Sequence, residues 1–190
     1  MLLPISESKS TDTAAFTSAG SAYNLSRILE SLKHSQLLQV GGILTSTEQT
    51  GQQWDFPNSW PPIVFMIQQG LHKASKQSFQ TNISKTFAAE MARNISDLWL
   101  STSYAGYANT GYMFEKYNGM VYGEGGDGGE YIPQVGFGWT NGVALALLNE
   151  TYSILPPTQD AVPNDIKGLS SGSKECCAVL YQSLLRHVYG

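Results

Sequence analysis

The sequence predicts an all-α fold with its chemistry on loops at one end of the helices, and three observations carry that expectation. Apolar residues recur at three- and four-residue steps in five separate segments. No convincing run of alternating β-branched residues is present, although Tyr112–Tyr117 and Met120–Tyr122 could pair as short strands. Most of the 19 glycines lie between helical segments, in Gly41–Gly51 and Gly106–Gly142, interleaved with Trp, Tyr and carboxylates.

Each element has its own warrant. Residues 1–21 carry Ser, Thr and Ala without periodicity and are expected to be irregular. From Ala22 to Gln39, the positions Leu25, Ile28, Leu29, Leu32, Leu37 and Leu38 roughly follow one helical face. Gly41-Gly42 is the expected stop, as glycine just past a helix end commonly is. Residues 43–60 read as a polar loop ending in tryptophans. Pro61 and Pro62 follow, and a helix from about Pro62 to Lys73 is expected, since a first-turn N–H has no partner to lose. Between Ser75 and Tyr104, Phe79, Ile83, Phe87, Met91, Ile95 and Leu98 give the strongest helical period in the chain. Residues 105–138 form an irregular stretch with five tyrosines. Loops longer than about 12–15 residues are usually functional or disordered, and this aromatic content favours function. Thr140-Asn141 is the expected N-cap of a helix carrying Val143, Leu145, Leu147, Leu148 and Tyr152. A proline-rich linker at 156–163 leads to a last helix near Lys174–Tyr189.

Composition narrows the function classes. A length of 190 residues suits about one domain. Charged residues are 14% of the chain against roughly 25% in ordinary globular proteins, which excludes a charge-rich tail or a coiled coil. The net charge is −4 and no basic run exists, so no nucleic-acid partner is expected. No stretch approaches the apolar length of a membrane span. The first residues, MLLPISESKS, lack the basic region of a signal peptide. Cys176 and Cys177 are adjacent, a spacing at which mutual bridging is rare, and they set no redox compartment. His34, His72 and His187 stand apart from partners at ligand spacing, so no metal site is expected.

Three groups concentrate reactive and binding side chains: Gln52–Trp60, Phe114–Tyr117, and Gly125–Tyr131 with Gln134 and Gly136–Asn141. Aromatic faces beside carboxylates and amides suit a sugar, whose C–H faces lie on rings while its hydroxyls bond to the polar groups. A glycosidase needs two carboxyl groups flanking the scissile bond, and Asp55, Glu115 and Glu130 are the candidates. Plainer readings stand beside this one. Trp54 and Trp60 could be packing residues, Lys116 a surface charge partner of Glu115, and the glycine run a linker. Phosphate binding is rejected, because GxxxxGK[ST] is absent and no strand precedes the glycines.

At these residues a resemblance becomes specific. Gln53-Trp54-Asp55-Phe56-Pro57-Asn58-Ser59-Trp60-Pro61-Pro62 resembles the trehalase signature QWD-x-P-x-[GAV]-W-[PAS]-P, departing only at Ser59, where the family has a small residue without a hydroxyl. Gly125–Asn141 resembles the family's glycine-rich motif, with Asp127 in place of a glycine. Phe114–Asn118 resembles its EKYD segment, with Asn118 in place of Asp. All three occur in family order, and the likeness runs from about Ala22 to Leu148.

The resemblance implies an inverting α,α-trehalase of glycoside hydrolase family thirty-seven, which forms an (α/α)6 toroid and splits trehalose into two glucoses without metal or cofactor. It implies Glu115 as the general base, Trp54 as an aromatic wall of a glucose site, Gln53 beside that wall, and Glu130 as the partner of a glucose hydroxyl. The family's general acid, an aspartate, belongs to a segment that nothing in residues 1–40 matches. The expectation is therefore a C-terminal portion over residues 22–155, forming a partial toroid between an irregular segment at 1–21 and a linker with terminal helix at 156–190. Apolar residues such as Phe79, Ile83 and Phe87 would then face water. A non-catalytic carbohydrate-binding remnant, or a chain without a stable fold of its own, is the alternative. Sequons at Asn24, Asn82, Asn94 and Asn149 favour a secreted or cell-surface parent.

Overall fold

The computed structural model describes residues 24–152 apart from Phe79, with only the backbone of Thr151 and Tyr152. The linker at 156–163, the last helix, Cys176 and Cys177 lie outside these residues. The order is α1 (Leu25–His34), β1 (Leu38–Gln39), β2 (Gly42–Ile43), β3 (Asn58–Ser59), α2 (Pro61–Ser75), α3 (Asn82–Thr110), β4 (Tyr117–Asn118) and α4 (Gly138–Tyr152). The fold is mainly helical, as the apolar spacing predicts.

The helix α1 begins at Asn24, whose side chain accepts from the Arg27 N–H, and buries Leu25 and Leu29. It ends well before Gln39. Ser35 turns its hydroxyl onto the Leu32 carbonyl, and Gln36 takes a left-handed φ of 62°. Leu37 and Leu38 therefore leave the helical face, and Gly41-Gly42 is no helix stop: Val40-Gly41 turns the β1–β2 hairpin and Gly42 opens β2 opposite Gln39. That hairpin docks through the Gly41 N–H, which donates to the Gly119 carbonyl at 2.8 Å.

The helix α2 starts at Pro61, one residue before the sequence expectation, and turns Val64, Gln68 and Leu71 inward. Its neighbour α3 is displaced from its predicted span. It begins at Asn82, where the Thr81 hydroxyl accepts from the Ser84 N–H, and continues to Thr110 before Gly111 ends it in the left-handed region. Glycine at position 106 does not break the helix. A Cβ there would lie 3.0 Å from the Phe114 ring and 3.1 Å from the Gly123 carbonyl, so glycine lets the next loop approach. The helix α4 begins at Gly138, not at Thr140-Asn141: both their N–H groups donate to the Phe137 carbonyl, which places them in the first turn.

The core is filled by Leu25, Ile43, Trp60, Val64, Trp99, Leu100, Tyr117, Leu147 and Leu148, all nearly inaccessible. Trp99 meets Tyr117 edge to face at 4.9 Å, which joins α3 to the loop that follows it. β3 pairs antiparallel with β4, Asn58 opposite Asn118 and Ser59 opposite Tyr117. The local pairing anticipated between Tyr112–Tyr117 and Met120–Tyr122 does not form. The N-terminal part of α3 shows an apolar face to water: Ile83 is 73% and Phe87 56% exposed.

Candidate active site

Three loops meet beside the β3–β4 pair, and each carries one of the residue groups singled out from the sequence. Glu115 lies between them and is 6% exposed. Its backbone is held by a short antiparallel bridge: the Glu115 N–H donates to the Gln134 carbonyl at 2.9 Å, and the Gly136 N–H to Met113 at 2.7 Å. The start of α4 supports the same strand. Trp139 Nε1 donates to the Glu115 carbonyl at 2.9 Å, and the Thr140 hydroxyl to the Phe114 carbonyl at 2.6 Å. The carboxylate itself is oriented by two donors. Oε2 accepts from the Gln134 N–H at 2.9 Å, and Oε1 from the Tyr131 hydroxyl at 3.4 Å. A carboxylate with both oxygens engaged has few rotamers open to it and keeps lone pairs for a water.

Lys116 points the other way, into the protein, and is fully buried. It is no surface partner of Glu115. Its ammonium donates to the carbonyls of Asp127 at 2.8 Å, Gly128 at 2.9 Å and Gln53 at 3.5 Å. It also lies over the rings of Trp60, at 5.5 Å, and Tyr131, at 5.4 Å. Burial pulls the Lys116 ammonium below the usual lysine range, and Glu115 and Asp127 oppose that by favouring its charge. The Tyr131 phenol is pushed up from its ordinary value by burial first and by the Glu115 charge second.

Trp54 and Trp60 divide the aromatic work. Trp60 is 2% exposed, donates through Nε1 to the Gln53 carbonyl at 3.0 Å, and meets Trp139 edge to face at 5.4 Å. Trp54 is 42% exposed and stacks on Trp60 with centroids 4.0 Å apart and planes within 12°. One indole is thus a buried support and the other a solvent-facing plate. The glycine loop closes against this segment with little room. Gly129 has φ 86° and a Cβ there would lie 2.8 Å from the Gln53 Cβ, while its N–H donates to Gly51. Glycine is required on both counts.

Sequence comparison supplies the family. A family model described as Trehalase matches residues 13–152, well over half of the chain. The chain belongs to the trehalase family. It is 46% identical over 124 residues to the probable trehalase of Oryza sativa subsp. japonica, covering 65% of this chain and 20% of the relative. It is 44% identical over 113 residues to the trehalase of Tenebrio molitor, covering 60% and 19%. The human trehalase is 44% identical over 108 residues, covering 57% and 17%. The chain therefore spans about a fifth of the length of these curated relatives.

Of the residues that the trehalase motifs single out, Gln53 meets Lys116 through its carbonyl, Glu115 meets Tyr131, Trp54 joins Lys116 only through Trp60, and Glu130 is exposed and next to Tyr131 in sequence. Asp55 does not join them as a third carboxylate. Its side chain accepts from the Thr50 hydroxyl and its carbonyl accepts from Asn58, so it closes its own turn. Lys116, Tyr131 and Gln134 carry the geometry without standing out in the sequence. Their signal was only their place inside the motifs, since neither burial nor partners can be read from residue type.

The three departures from the family motifs each have a local setting. Asn118 Oδ1 accepts from the Met120 N–H at 3.0 Å and Nδ2 donates to Glu124 at 3.5 Å, a role in which aspartate would meet like charge. Asp127 accepts from the Gly128 N–H and sends its own N–H to Asn58 Oδ1 at 3.1 Å. Ser59 Oγ is buried without a hydrogen-bond partner among the described residues. Among those residues no cluster of three or more His, Cys, Asp or Glu side chains could hold a metal ion. No described helix is long and apolar enough to cross a membrane.

Proposed function

We propose that this chain supplies the base-bearing part of a site that hydrolyses α,α-trehalose to two glucose molecules with inversion. Glu115 carries the reading: a nearly buried carboxylate, oriented by Gln134 and Tyr131, at the junction of three trehalase motifs. Its oxygen takes a proton from a water while that water's oxygen attacks an anomeric carbon. The glycosidic C–O bond breaks, and the departing glucose oxygen takes a proton from a general acid on the other face. Acid and base stand about 6.5–9.5 Å apart in such enzymes, which leaves room for the water. Trp54 offers its exposed face to a pyranose ring, the Gln53 side chain lies beside it, and Glu130 accepts from a sugar hydroxyl.

Among the described residues, neither of the other two candidate carboxylates takes the acid's place in the reading. Glu130 is assigned to a hydroxyl, and Asp55 is engaged with Thr50. Residues 22–155 are accordingly a C-terminal portion of the catalytic domain, flanked by 1–21 and 156–190, and the acid belongs to sequence outside the 190 residues. The test uses the purified chain with trehalose. Tryptophan emission should respond to trehalose and lose that response in Trp54→Phe, while glucose release stays at the Glu115→Gln background. Release above that background would show an acid within this chain and overturn the assignment. Absence of any emission response would overturn the sugar site.

A further inference from the structure

We infer that Lys116 is the positioning residue of this site: one buried ammonium ties the tryptophan loop and the glycine loop together behind the Glu115 carboxylate. The inference deepens the proposed sugar site and rests on it for its consequence, but the tie can be tested without sugar.

The two loops share few direct links. Between 51–60 and 125–131 the backbone offers the Gly129 N–H to Gly51, and the Asn58 side chain accepts from the Asp127 N–H. Lys116 adds the central one. Its three donors reach carbonyls on both loops, Gln53 on one side and Asp127 and Gly128 on the other. Those carbonyls converge on a point inside the protein. The Gln53 carbonyl also accepts from Trp60 Nε1, so the ammonium matters most to the Asp127 and Gly128 carbonyls, which without it would lie buried without that donor. An ammonium satisfies all three at once, and no neutral side chain offers three donors from a single atom.

The aromatic rings continue the tie outward. The ammonium lies over Trp60, on which Trp54 stacks, and over Tyr131, which donates to Glu115. Tyr131 therefore meets that nitrogen directly, and Trp54 and Glu115 are each one contact removed from it, through Trp60 and Tyr131. Release of Lys116 should loosen the aromatic plate and the glycine loop together, leaving the helices in place. Trp99 marks the helices, because it packs on Tyr117 from within α3.

The experiment is amine rescue of Lys116→Ala in the 190-residue chain, labelled with 5-fluorotryptophan. Propylammonium supplies the atoms that the substitution removes, and 1-propanol supplies similar volume with one neutral hydroxyl. Fluorine resonances of Trp54 and Trp60, assigned by Trp→Phe replacement, should move in Lys116→Ala while that of Trp99 stays. Amide exchange in 125–129 should quicken about tenfold or more, as for a segment that opens locally. Propylammonium should reverse both changes and 1-propanol should not. If Lys116→Ala loses its helical signal, the same comparison decides, with refolding as the readout. Unchanged resonances and exchange, equal rescue by the alcohol, or no rescue by the amine would each overturn the inference. A chain with no trehalose response but cation-specific rescue would overturn the sugar reading and leave the tie standing.

Discussion

Replacing Ser59 by alanine should make the protein more stable, and the magnitude follows from the surroundings of one oxygen. Ser59 is fully buried in β3, opposite Tyr117, and its Oγ has no hydrogen-bond partner among the described residues. The hydroxyl points toward Gly42: a Cβ on that glycine would come within 2.5 Å of Oγ. A buried polar group without a partner carries a desolvation cost of about 1–3 kcal/mol. Alanine removes that cost, keeps the Cβ, and gives up only the few dispersion contacts of one oxygen. A net gain of about 1–2 kcal/mol is expected, which for a domain of this size raises Tm by roughly 2–8 °C. Thermal melts of both chains by far-ultraviolet circular dichroism, with urea midpoints as an independent check, measure it. Gly42→Ala is the opposing control and should melt lower, since it adds the clash and φ 147° does not suit a side chain. A Ser59→Ala chain that melts at or below the wild-type temperature would refute the argument and mean that the hydroxyl has a partner.

Glu115→Gln, placed in a protein that joins these residues to the remaining length of a trehalase relative, should cut turnover by about 10²–10⁴-fold and leave trehalose binding in place; more than a tenth of the wild-type rate would refute the base assignment. Trp60→Ala should lower stability by about 3–5 kcal/mol, because the buried indole carries both Trp54 and Trp139. Trp54→Ala in the same joined protein should raise KM and lower kcat with a smaller loss in melting temperature, and normal kinetics in both variants would remove Trp54 from the site. Burial pushes the Tyr117 phenol up to about 12, above its ordinary value of 10.0. The folded chain then keeps a proton that the unfolded chain releases, so stability held below pH 10 should fall as pH rises through that window toward about 12. Melting temperatures from pH 9 upward, with phenolate absorbance recorded alongside, measure this, and a flat profile would contradict the burial of Tyr117.

What could be read from residue order differed by element, for physical reasons. The helix α2 was legible almost to its ends, because Pro61-Pro62 marks a first turn and the apolar positions keep one period. The end of α1 was not. Leu37 and Leu38 continue a helical spacing, yet Ser35 competes for the last carbonyls and the chain reverses at Gln36. The helix α3 outran its expected end because Gly106 serves a close approach of the loop and not a break. The pairing of Asn58–Ser59 with Tyr117–Asn118 joins segments almost sixty residues apart, and two-residue strands leave no local pattern to find. At the site the motifs located Gln53, Trp54, Glu115 and Glu130. Lys116 escaped, since a lysine beside a glutamate looks like a surface pair until the three carbonyls around it are seen.

The inward turn of Lys116 also divides the lysines among the described residues by chemical reach. Lys33, Lys73 and Lys76 are exposed and Lys85 is half-buried, whereas Lys116 is sealed. An amine-reactive reagent used under mild conditions should acylate the first group and pass over the last. A peptide map of the treated protein then gives, as an average over the sample, the fraction of a preparation that holds its loops closed. The unmodified fraction at one residue becomes a purity measure for the native site, available before any substrate is added.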